Sequence, residues 1–112
     1  MPPWQSAQQV REALFDAQAS LLLDDGRDAQ AATARAEAAF DGRLRRTLAR
    51  RAPGAEARAQ RALADARTAA AKLDAAGLAA ARGALQAAIF EGSYRVTLDA
   101  INPATPIGSR LT

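Results

Sequence analysis

The chain has 112 residues, the size of one domain, with a net charge of +3 and a pI near 10.5. It contains no cysteine and no histidine, which excludes disulfides and thiolate metal sites and removes the commonest general base and metal ligand. Hydrophobic residues make up 49%, most of them alanine, against 4% aromatic residues, so a thin core built by close helix approach is expected, with no enzymatic activity and no cofactor.

No stretch reaches the roughly 20 apolar residues that a membrane helix needs; Arg82 and Glu91 interrupt the longest candidates. The opening Met1-Pro2-Pro3-Trp4-Gln5 has neither the basic nor the apolar region of a signal peptide. A soluble all-α chain is expected.

In chain order, the first helix is predicted over about 5–23. Ala7, Val10, Leu14, Ala17 and Leu21 recur at spacings of three and four. Phe15 and Leu22 widen that stripe, and Trp4 is expected to cover one end of the core. At the Asp24-Asp25-Gly26 turn, Asp25 is placed as an N-cap, with Asp28 completing a capping box.

The second helix is predicted over about 26–51, with Ala29, Thr33, Ala36, Phe40, Leu44 and Leu48 inward and Gly42 near its middle. Pro53-Gly54 reads as a stop. A third helix over about 55–73 turns Ala59, Leu63, Ala66, Ala70 and Leu73 inward, with an Arg61–Asp65 pair on its outer face. The fourth, over about 78–100, has two apolar rows. Leu78, Ala81, Leu85, Ile89 and Val96 form one, and Phe90, Tyr94, Leu98 and Ile101 the other. So wide an apolar arc calls for more than one neighbour.

The tail 102–112, with Pro103 and Pro106, is expected to be extended or disordered. Short turns between long helices imply an antiparallel up-down four-helix bundle over residues 1–101, followed by the irregular Pro-rich tail.

Three clusters invite a functional reading. Asp24, Asp25 and Asp28 lack the spacing of a calcium loop and are read as capping residues. Arg43, Arg45, Arg46, Arg50 and Arg51 form a dense basic run. It suits an anionic partner (nucleic acid, anionic lipid or an acidic protein), although the negative end of a helix dipole is the more ordinary reason for cations to collect at a helix C-terminus. No aromatic residue interleaves it, which argues against single-strand stacking. Glu91 is expected to pair with Arg95 four positions on. Gly92-Ser93 is a small-residue patch that admits a neighbouring helix, so Phe90, Gly92, Tyr94, Leu98 and Ile101 form a candidate helix-packing surface. Topology places the arginines, Trp4 and residues 94–101 at one pole.

Two stretches carry a family resemblance. One runs from Val10 to Asp25, and the other from Ala79 to Leu85, continuing with Phe90-Glu91-Gly92-Ser93-Tyr94-Arg95-Val96-Thr97-Leu98-Asp99-Ala100. The Gly92-Ser93-Tyr94-x-x-Thr97-Leu98 segment is its strongest element. Together they resemble the soluble helical region that precedes the membrane helices in bacterial oxidase-dependent, high-affinity iron permeases. The iron-conducting signature of that family is Arg-Glu-x-x-Glu. Here Arg11-Glu12-Ala13-Leu14 is followed by Phe15, so no iron ligand is carried over.

The resemblance implies an extracytoplasmic accessory domain of an iron-uptake system, with the permease membrane domain or another uptake component as partner. Without it, the chain reads as a stand-alone, cytoplasmic interaction module. A homo-oligomer is compatible with either reading.

Overall fold

The computed structural model describes residues 3–101. The chain runs through α1 (Pro3–Leu22), α2 (Gly26–Phe40), α3 (Arg43–Arg51), α4 (Pro53–Ala71) and α5 (Ala75–Ile101), with no strand among the described residues. The expected second helix is thus two. It breaks at Asp41–Gly42, where Gly42 takes φ −90°, ψ −126°, outside the helical region. Glycine has the least to lose from leaving a helix. The break leaves Phe40, Leu44 and Leu48 all buried.

The other boundaries shift by a turn or less. Pro53 and Gly54 open α4 rather than precede it, with Pro53 in the first turn, where its missing N–H costs nothing. The chain beyond 101 lies outside the described residues.

Two helix ends are built alike. After α1, the Asp25 N–H bonds to Ser20 O and the Asp24 N–H to Leu21 O, with Asp24 at φ 58°. After α4, the Asp74 N–H bonds to Ala69 O and the Leu73 N–H to Ala70 O, with Leu73 at φ 57°. Both are Schellman motifs with a left-handed residue. The next aspartate then caps the following helix: Asp25 Oδ1 accepts from the Asp28 N–H at 3.0 Å, and Asp74 Oδ1 from the Gly77 N–H at 2.9 Å. Asp25 is the N-cap that the sequence predicts. The box is half-formed, because the Asp25 N–H is spent on Ser20.

Packing follows from these turns. α1 lies along α2 and α4 along α5, while α2–α4 and α1–α5 contacts join the two pairs, and α3 touches all four other helices. Leu14, Leu44, Leu48, Leu78, Leu85 and Val10 are the largest fully buried side chains, interleaved with alanines such as Ala29, Ala36, Ala59, Ala66 and Ala70. Buried Thr33 donates its hydroxyl to Ala29 O at 2.8 Å, which satisfies it inside the core.

Three predicted core residues are instead exposed: Phe15, Leu22 and Leu73. Phe15 and Leu22 sit on the rim of a stripe already filled by Leu14 and Leu21. Leu73 lies beyond the last turn of α4 and reaches over Gly26, where a Cβ would meet its side chain.

Candidate functional site

The five arginines of the basic run all sit on or in the surface of α3, whose inward face is Leu44 and Leu48. Arg45 is braced. Its Nη1 lies 2.9 Å from Asp41 Oδ1 and its Nε 3.3 Å from Glu56 Oε1. The hydrogen bond to Asp41, then that to Glu56, holds its guanidinium above the usual arginine range. Arg43, Arg46, Arg50 and Arg51 have no carboxylate partner among the described residues, and all are exposed.

The expected helix-packing surface divides in two. Phe90, Tyr94 and Leu98 face outward. Gly92 faces inward and is buried, and a Cβ there would collide with the Leu48 side chain and touch Ala55. Gly92 therefore lies close against α3 and α4 of its own chain. Ile101 closes α5, and its side chain lies outside the description.

Glu91 does not pair with Arg95. It pairs with Arg58 of α4, because α4 is the nearer neighbour of that face. The expected Arg61–Asp65 pair is not formed among the described residues; Arg67 reaches Glu37 of α2 instead, at 3.5 Å.

One feature escaped the reading of the sequence. A half-open groove of about 290 Å³ runs between α1 and α5. Val10, Leu14, Leu85 and Ile89 line its apolar part, and Trp4 and Phe90 stand at one end. Arg11 and Arg82 also line it. The Arg82 guanidinium lies 5.6 Å from the Phe15 ring centroid, a cation–π distance, and its Nε is buried without a hydrogen-bond partner. The available signal was Arg82 itself, a cation set within an otherwise apolar helix face. It reads in sequence only as an interruption of hydrophobicity.

Trp4 shares the groove with Phe90 and Ser93, and Leu48 of the arginine-bearing helix sits against Gly92.

No helix among the described residues is long and apolar enough to cross a membrane, and among those residues no three carboxylates converge on a metal-sized site. These features define an all-helical chain with one basic helix, one exposed apolar helix face and one amphipathic groove. The family model described as the iron permease FTR1 N-terminal domain matches residues 1–104, and the chain belongs to that family. The resemblance read from residues 10–25 and 79–100 is thereby established. The family is one of transporters rather than enzymes, and it makes the chain part of a membrane-associated iron permease. No curated protein and no solved structure matches the chain.

Proposed function

We propose that the chain is a non-catalytic accessory domain of an iron-uptake permease. It acts at the extracytoplasmic face by packing a helix against the membrane part or a partner of that system. The observation that carries this reading is the outer row of α5. Phe90, Tyr94 and Leu98 recur at intervals of four with exposures of 74%, 61% and 38%. An apolar row left open on a surface helix is the usual mark of a docking face. In this reading residues 1–101 form one up-down bundle in which α2 and α3 together make one bent rod. The Arg58–Glu91 pair, joining the start of α4 to the late part of α5, supports antiparallel neighbours.

The test is a photocrosslinker at position 94 in cells expressing the natural gene. The expected product joins this surface to a permease membrane helix, while the same probe at Arg61 on α4 gives none. Adducts confined to a second copy of the chain would replace the proposal with a homo-oligomer.

A second reading rests on α3, where four exposed arginines lack acidic partners among the described residues. There the chain binds an acidic partner (nucleic acid, anionic lipid or protein). Duplex DNA titrated at two salt concentrations checks its nucleic-acid form. Phosphate contacts must weaken steeply with salt, and no binding at low salt removes it.

A further inference from the structure

We infer that the groove between α1 and α5 is a binding site for an amphipathic anion, taking its acidic head and one aliphatic chain. The site is polarised along its length. Arg11 and Arg82 lie toward one end, and Trp4 and Phe90 at the other. By helix rise, Trp4 to Arg11 and Arg82 to Phe90 each span roughly 10–12 Å. Both walls therefore put their cation and their aromatic ring at matching separations.

The charge is available. Of the carboxylates beside this end, Glu12 accepts from Gln8 Nε2 at 3.2 Å, and Asp16 faces Arg35 at 3.8 Å. Among the described residues, neither Arg11 nor Arg82 has a carboxylate partner. Arg82 adds a buried Nε–H with no acceptor, a group that native structures rarely leave unmatched. A guanidinium fork suits a carboxylate or phosphate head.

The floor is apolar. Leu14 and Leu85 are almost wholly buried beneath it, and Ile89 is partly covered. The volume of about 290 Å³ is at the small end of ligand sites, which run roughly 300–1,000 Å³. That accommodates one chain.

Free long-chain carboxylates and acidic phospholipids share this chemistry, and the experiment separates them. Trp4 is the sole tryptophan and lines the groove, so its fluorescence reports the site directly. The full chain is titrated with decanoate, decanol and decyltrimethylammonium. Vesicles of phosphatidylglycerol or of phosphatidylcholine are titrated in parallel. A saturable Trp4 response to decanoate, weakened at least tenfold in Arg82→Gln at unchanged helicity, supports the site with a free amphiphile as its ligand. An Arg82-dependent response to phosphatidylglycerol vesicles alone supports it with lipid as the source. Arg11→Gln, at an exposed position, provides the same test should Arg82→Gln lose helix content. The inference is overturned if decanol matches decanoate, if the folded variants bind as tightly as the parent, or if neither source changes Trp4. Because no permease component enters the titration, its failure leaves the docking proposal standing.

Discussion

The α1–α2 and α4–α5 pairs use one turn design to different ends. Each closes on a Schellman motif and restarts on an aspartate cap, so the backbone solution is the same. The residue at the left-handed position differs. Asp24 is of a type that tolerates that conformation, whereas Leu73 is not. Leu73 is held there while its side chain lies over Gly26 at the start of α2. The first turn is thus local chemistry. The second gives up local comfort for a contact between the two pairs.

The pairs also differ at their seams. Along α4, Ala55, Ala59, Ala62, Ala66, Ala69 and Ala70 are all buried, and small side chains let α5 approach closely. Where α5 meets α1, the side chains include the larger Trp4, Arg11, Arg82, Ile89 and Phe90, and the seam opens into the groove. Size at the seam decides whether two helices close or leave a site.

The sharpest way to break this contrast is Leu85→Ala. Leu85 is 1% exposed beneath the groove, and its truncation is expected to cost about 2–5 kcal/mol, read by denaturant unfolding. At the closed seam, Ala59→Leu is expected to cost about 1–3 kcal/mol by overpacking. An unchanged midpoint for Ala59→Leu would show the seam to be looser than its full burial implies.

The two turns are compared by removing their caps. Asp25→Ala and Asp74→Ala should each destabilise by about 1 kcal/mol, equally if the design is shared. Leu73→Gly should instead stabilise, by up to about 1 kcal/mol through relief of the left-handed backbone, while Asp24→Gly should do less. A destabilised Leu73→Gly would mean that the contact over Gly26 outweighs the strain.

The smallest expected effect is electrostatic. Asp28 has its pKa raised above the ordinary 3.8, first by a side-chain hydrogen bond with Asp25, then by that residue's charge and by desolvation, with Arg35 opposing. A carboxyl group raised in the folded state contributes stability that is full below its unfolded pKa and lost as pH rises through its folded pKa. Melting temperature followed across the carboxylate range should therefore fall less with rising pH in Asp28→Asn than in the parent. An identical profile would remove the Asp25–Asp28 coupling.

Much of the core was legible in the sequence. Val10, Leu14, Ala17 and Leu21 on α1, and Ala29 through Leu48 on α2 and α3, are buried as their spacing requires. Helical periodicity is a local property, and one face must go inward wherever a helix forms. Asp25 as a cap was legible for the same reason, because it answers to the backbone within three residues of itself. Arg45 and its fellow arginines were legible as a basic run, although not matched to Asp41 or Glu56.

Sequence by itself determined that this chain is helical, alanine-packed and assigned to an iron permease family, because propensity, period and motif are all written along the chain. Only the tertiary structure decided that α2 would part from α3 at Gly42, that Glu91 would choose Arg58 over Arg95, and that Arg11 and Arg82 would line one groove. Those outcomes depend on which helix lies alongside which. Such neighbours are set by the summed fit of all the seams, and no single stretch of sequence encodes that sum.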